Sequence, residues 1–255
     1  MPSLSDLEQY LKATGIASKK DNESTLCFEL NVPMSSGKRK AFELTASQSG
    51  SGLSIKESGG CLPNFCPNRH INMGGDFCLG FEVDSLPIHD WVSYLKDYLR
   101  AQEYVSKHRK WPKQVKEWSH GHAAYYQELV EQDLLKLRNN DISIDFKKIE
   151  LREVSPAKCY PYKPHYHLYY DSKLIATGTE DKILNKRASC ICIKDGSGKR
   201  RHKTVGNCKN QCSKTLYQIP FNEKKRILEE DKFWEYFKDE KCCMTMNECK
   251  LNNNI

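Results

Sequence analysis

The run 66-CPNRHINMGGDFCLG-80 packs two cysteines, one histidine, two asparagines and three glycines into fifteen residues. These residue types support two chemistries. Cys66, His70 and Cys78, with Cys61 just upstream, are metal-ligand types. A structural zinc site wants a closed shell of four such donors. The other chemistry is acyl transfer through a thiolate. Gly74 and Gly75 before Cys78 and Gly80 after it let the backbone turn tightly and approach another chain closely. Asn72 lies six residues upstream of Cys78, and its side-chain amide can donate to a developing oxyanion. His70 would orient the turn or act as a base. Using Cys78 as a metal ligand would consume the thiol best placed to react, so Cys78 is read as the nucleophile. Cys61 and Cys66 are then read as small buried hydrophobes. Asp76 and Asp84 could take a proton from an incoming amine, but solvated turn residues are the preferred reading.

A second concentration of cysteine follows. Of the chain's twelve cysteines, eight lie beyond position 150. Cys190 and Cys192, then Cys208 and Cys212, make two close pairs separated by a glycine-containing stretch that can form a hairpin. Four thiols brought together so would suit one structural zinc. Cys242, Cys243 and Cys249 remain for a second site, with Cys159, His165, His167 or His202 as further donors. The alternative is that all of these are core residues of a small domain. No cofactor is required for catalysis at Cys78.

The elements that must position these residues fall into two parts. Residues 3–14 carry Leu4, Leu7, Tyr10 and Leu11 at helical spacing, with Gly15 as the stop. Three strand-like runs follow, 24–32, 39–47 and 52–58, separated by turn-rich pieces as in an antiparallel meander. After the Gly/Pro/Cys segment 59–80, residues 88–111 read as a long helix ended by Pro112. Residues 121–137 read as another, with Trp111, Trp118, His120 and Gln127 packing around the pair. The polar run 139–143 marks a boundary. Beyond it, 142–154 and 165–178 read as strands and 222–238 as a helix. The expected class is α+β, with domains at 1–140 and 141–255.

Composition narrows the setting. The chain has 255 residues, 38% hydrophobic and 29% charged, enough for a packed core. No apolar run reaches the length of a membrane span, and the N-terminal residues do not read as a secretory signal. A cytoplasmic, reducing setting is therefore expected, where clustered cysteines serve metals or catalysis more than disulfides. Residues 1–140 hold 17 basic and 17 acidic side chains, so the whole surplus of +7 sits in 141–255. Within it, 198-GKRRHK-203 is the most basic patch. It is read as a solvated face, and nucleic acid is not expected as a partner.

The motif 70-HINMGGDFCL-79 resembles the ubiquitin-conjugating-enzyme signature, His-Pro-Asn followed by Gly-x-Ile-Cys-Leu. The order of helix, meander, loop and helices is also that family's. The resemblance implies a ubiquitin-conjugating (UBC) fold over about 1–140. It makes Cys78 the thioester-forming nucleophile, Asn72 the oxyanion-stabilising amide, His70 the structural histidine and Leu79 the apolar residue behind the cysteine. Ile71 stands where the family has proline, and the gap from Asn72 to Cys78 is shorter. The longer pattern 61-CLPNFCPNRHINMGGDFCLG-80 with Trp111 and 118-WSHGHAAYYQ-127 resembles the bacterial relatives found in anti-phage operons, including cyclic-oligonucleotide signalling (CBASS) operons. The tail resembles a cysteine-rich extension carried by some of them. That implies transfer of a protein C-terminus to a lysine. The donor would be a cGAS/DncV-like nucleotidyltransferase or a ubiquitin-like protein, either activated by a separate enzyme or arriving in another way. A binding module remains as the competing class: a catalytically dead adaptor with a zinc-dependent basic domain.

Overall fold

The computed structural model describes residues 2–49, 52–154, 164–192 and 203–251. Cys159, His202 and nearly all of the basic patch 198–203 lie outside them. The described chain is α+β and divides into two compact units, 1–118 with 233–255, and 119–232.

The first unit opens with α1 (Leu4–Ala13). Ser3 caps it, its hydroxyl accepting from the Asp6 N–H while the Asp6 carboxylate takes the Ser3 N–H. This reciprocal pair satisfies two amides that the first turn otherwise leaves bare. Four antiparallel strands follow in sequence order: β1 (Ser18–Asn22), β2 (Thr25–Pro33), β3 (Arg39–Ser49) and β4 (Gly52–Glu57). The sequence shows three of these. β1 (SKKDN) is exposed at every position, so it has no apolar alternation to betray it. It is specified by pairing with β2 from Ser18–Phe28 to Asn22–Thr25.

β2 alternates Leu26, Phe28, Leu30 and Val32 inward, and β3 sets Ala46, Leu44 and Phe42 opposite the first three. One face of the sheet is thereby apolar, and Leu4, Leu7 and Leu11 of α1 share its core cluster. So do Trp91, Val92, Leu95, Tyr98 and Leu99 of α2 (Ile88–His108). α2 ends earlier than the proline rule predicts. Arg109 adopts a left-handed conformation at φ 56° and closes the helix three residues before Pro112.

The second unit begins with α3 (Ala123–Arg138) and a second antiparallel sheet, β5 (Ile149–Val154), β6 (His165–Tyr170), β7 (Lys173–Thr179) and β8 (Lys182–Ile183), paired in that order. The stretch expected as one strand over 165–178 is a hairpin. Asp171 and Ser172 both take positive φ, 50° and 62°, the requirement of a two-residue turn of primed type. The strand expected over 142–154 pairs only from Ile149 onward. α4 (Cys212–Tyr236) starts ten residues before the helix expected at 222, with Pro220 inside it. Leu168, Ala176, Leu216, Tyr217 and Ile219 form this unit's core.

Candidate active loop and cysteine clusters

The loop 66–78 is built as a double clasp. Cys66 and Ile71 exchange backbone hydrogen bonds at 3.0 and 3.1 Å, closing a turn around Pro67–Arg69. His70 leaves that turn in the left-handed region, φ 54°, a conformation few side chains adopt without support. The support comes from Tyr98 of α2, whose hydroxyl lies 3.0 Å from the Arg69 carbonyl and 2.8 Å from that of His70. The His70 carbonyl also accepts the Cys78 N–H at 2.8 Å. The His70 ring is buried edge-on against Trp111, with centroids 4.7 Å apart.

Between these ends, Ile71 and Phe77 pair antiparallel, and both are buried. The Asn72 N–H donates to the Asp76 carbonyl at 2.8 Å, and Gly74 and Gly75 turn the chain at φ 92° and 89°. The Phe77 N–H bonds to Ile55 of β4, and the Asp76 carboxylate accepts from Ser54 Oγ at 2.6 Å. The loop is thus a small hairpin docked on the sheet edge. Strand alternation buries Ile71 and Phe77 and turns Asn72, Asp76 and Cys78 to the other side. Asn72 is exposed, and its side chain has no hydrogen bond among the described residues. Asp76, read as a solvated turn residue, instead ties the hairpin to β4. Burial pushes the Asp84 carboxyl above its usual range.

Cys78 is partly buried at a cleft of about 590 Å³ lined by His70, Leu79, Tyr94, Tyr98, Trp111 and Trp118. Burial raises its thiol above the ordinary value, and an N–H from Gly80 to Sγ offsets only part of that. Gly80 is held at φ 91°, and a Cβ there would stand 2.6 Å from Trp118 Nε1. The indole therefore packs directly on the backbone two residues after the cysteine.

The residues that sequence reasoning missed are those supporting the loop from behind. Arg69 is 2% exposed. Its guanidinium donates to Gln102 Oε1 at 2.8 Å, the Gln102 carbonyl at 3.1 Å and Ser106 Oγ at 3.0 Å. Gln102 returns a bond to the Arg69 carbonyl at 2.6 Å. Arginine is usually a surface residue, so nothing in the string marks it as buried. Tyr98 and Gln102 stand one helical turn apart on the inward face of α2, and that spacing was the available signal.

In the second unit, the Sγ atoms of Cys190, Cys192, Cys208 and Cys212 all lie within 4.8 Å of one another. All but Cys192 are buried. Cys190 lies next to the Ser189–Thr204 bridge, Cys208 follows a single 3-10 turn and Cys212 begins α4. Burial raises the Cys190 thiol, but N–H donors from Cys192 and Ser213 and the Ser213 hydroxyl outweigh it and bring it down to about 7. Burial and the neighbouring cysteines push Cys212 up to about 11. Four soft donors in a closed, mostly buried shell, one already favouring thiolate, fit a tetrahedral zinc or another thiophilic ion. His120 lies in the same unit, its ring 2.6 Å from Glu230, and Gln127 accepts the Ser119 N–H.

The zinc set considered for the loop does not assemble. Cys61 is exposed, with its N–H on Glu57 Oε2. Cys66 instead meets Cys243, with the sulfurs 2.7 Å apart. His165 and His167 sit on β6 in the second unit.

The first unit thus presents one cysteine at a cleft, on a hairpin docked beside a meander and a long helix. Residues 14–113 match the family model described as "Prokaryotic E2 domain". Residues 119–251, more than half of the chain, match "Cysteine-rich domain, C-terminal to E2 domain". The chain therefore belongs to this E2-linked cysteine-rich family and is a prokaryotic E2-like protein. No curated protein and no solved structure matches it. No described helix is long and apolar enough to cross a membrane.

Proposed function

We propose that this protein is a cysteine-dependent conjugating transferase with a UBC fold, acting in the cytoplasm. The observation that carries the reading is Cys78 at the rim of a cleft, on the docked hairpin of a domain matching prokaryotic E2. The donor arrives as a thioester on a separate activating enzyme. Cys78 Sγ, as thiolate, attacks that carbonyl, and the activating enzyme's thiolate leaves. The acyl group then sits on Cys78. A lysine amine attacks next, an amide forms, Cys78 leaves as thiolate, and the amine's proton passes to solvent. Asn72 donates to the oxyanion at each attack, and His70 fixes the turn. The donor we favour is the C-terminus of a cGAS/DncV-like nucleotidyltransferase, with the protein serving anti-phage CBASS signalling. A ubiquitin-like protein of another defence operon is the alternative donor.

Burial keeps the free Cys78 thiol high, so the sulfur gains its nucleophilic form in the complex with the activating enzyme. The cysteine tetrad 190, 192, 208 and 212 would hold a structural zinc that orders the second unit and takes no part in transfer.

The test is a non-reducing gel of chain, donor, activating enzyme and ATP. Native chain should give a thiol-sensitive adduct, Cys78→Ser a thiol-resistant one, and Cys78→Ala none. An adduct that persists on Cys78→Ala would overturn the assignment. Salt-sensitive nucleic-acid binding indifferent to Cys78, with no adduct from the native chain, would favour the adaptor class instead.

A further inference from the structure

A second set of four cysteines lies in the first unit, and the transfer reading makes no use of it. Cys66 comes from the start of the active loop. Cys242, Cys243 and Cys249 come from a segment some 180 residues later. Cys66 and Cys249 are 1% and 5% exposed. Cys242 and Cys243 are partly buried and pack against the same cluster, with Trp234, Met246 and Leu251. The Sγ atoms of Cys66 and Cys243 are 2.7 Å apart, Cys249 is within hydrogen-bonding reach of Cys242, and Cys66 and Cys249 feel each other's charge. Unlike those of the second-unit tetrad, these sulfurs do not all lie within 4.8 Å of one another.

We propose that Cys66, Cys242, Cys243 and Cys249 form a second structural zinc site, which staples the C-terminal segment to the base of the active loop.

Three observations converge on it. First, each sulfur faces a backbone N–H: Arg69 for Cys66, Met244 for Cys242 (3.3 Å), Thr245 for Cys243 and Leu251 for Cys249. Such donors stabilise thiolates and orient them around a cation. Buried thiols kept as small hydrophobes need none. Second, Arg69 is buried with no carboxylate among its hydrogen-bond partners in the described residues. A buried cation requires a counter-charge. The groups whose charge it would meet are Cys66, the Tyr98 hydroxyl and Cys243. A zinc with four thiolates carries a net charge of about −2, which a guanidinium beside it complements. Third, the segment is already held in place independently of any metal. Asn68 Nδ2 donates to the Glu248 carbonyl at 3.1 Å, Arg109 to the Met244 carbonyl at 2.8 Å, and Asn247 N–H to the Arg109 carbonyl at 3.0 Å. The segment that carries the three late ligands is therefore held beside Cys66, and the ion has only to draw the sulfurs together.

The consequence for the loop is direct. Cys66 supplies both backbone bonds that close the turn leading to His70. Fixing its sulfur fixes one end of the hairpin that carries Asn72 and Cys78.

The inference stands apart from the transfer reading and is tested apart from it. The full-length chain, purified under reducing conditions without chelator, is assayed for zinc by plasma mass spectrometry. About two ions per chain are expected, one from each tetrathiolate. Cys243→Ser and Cys208→Ser should each leave one, because they remove different sites. X-ray absorption on the Cys208→Ser chain should show a sulfur-only shell at about 2.3 Å. A native chain with one zinc overturns the proposal, and that count needs no variant to fold. So does a Cys243→Ser chain that keeps the native count, or a Cys66–Cys243 disulfide recovered by peptide mapping from the freshly purified native chain. Cys78→Ala should retain both ions, so loss of transfer and loss of the second metal are read separately.

Discussion

Cys78 is a thiol whose surroundings hold it protonated. Burial raises it, and the Gly80 N–H offsets only part of that. The sign of the resulting pH dependence is fixed. Alkylation of Cys78 by iodoacetamide should still be climbing at pH about 9, past the ordinary thiol value of about 8.5. A plateau near neutrality, followed by mass spectrometry of the Cys78 peptide, would mean that a base had been overlooked. Because the folded thiol titrates higher than the unfolded one, the unfolded chain loses its proton first as pH rises. The fold should lose stability above pH about 8.5 by this group. Gly80 is the other residue on which the site turns. Gly80→Ala meets both a positive φ and the Trp118 indole. It should cost more than about 1 kcal/mol in chemical denaturation and blunt adduct formation, with Cys78 itself intact.

At the scale of elements, the 71–77 hairpin is held by two buried side chains below and by Tyr98 behind. Tyr98→Phe removes the hydroxyl that serves the carbonyls of Arg69 and His70 and leaves each with one donor, Gln102 Nε2 and the Cys78 N–H. A loss of about 1–2 kcal/mol is expected, with a larger fall in transfer rate than in donor binding, since the change loosens the loop rather than the cleft wall. Unaltered transfer at lowered stability would mean that the left-handed His70 holds its conformation unaided. Phe77→Ala opens a cavity between the loop and α2 and should cost about 3–5 kcal/mol. The elements themselves were read unevenly. α1, β2, β3 and α2 carry regular apolar spacing and were legible. β1 was not, because an exposed polar edge strand has no pattern of its own. The β6–β7 turn was not, because Asp-Ser lacks the glycine that usually announces a primed turn.

At the scale of the molecule, each unit gathers its own cysteines. Cys208→Ser should lower the stability of 119–232 and leave unfolding of the first unit unchanged. Hydrogen exchange resolved by peptide would show protection lost over β5–β8 and kept over β2–β3. Equal loss in both would mean that the tetrad 190, 192, 208 and 212 supports more than its own unit. The first unit is itself assembled from both ends of the sequence, since 233–255 folds with 1–118.

The sequence by itself determined what is local. It set the α+β class, the glycine-rich loop around Cys78, and the grouping of Cys190 and Cys192 with Cys208 and Cys212, because each rests on residue type, period or short spacing. The tertiary structure decided what rests on distance. A string cannot show that Arg69 is buried, that Tyr98 holds the carbonyl that in turn holds Cys78, or that Cys66 finds Cys243 rather than Cys61. Those contacts join segments whose separation along the chain carries no periodicity, and only packing brings them together.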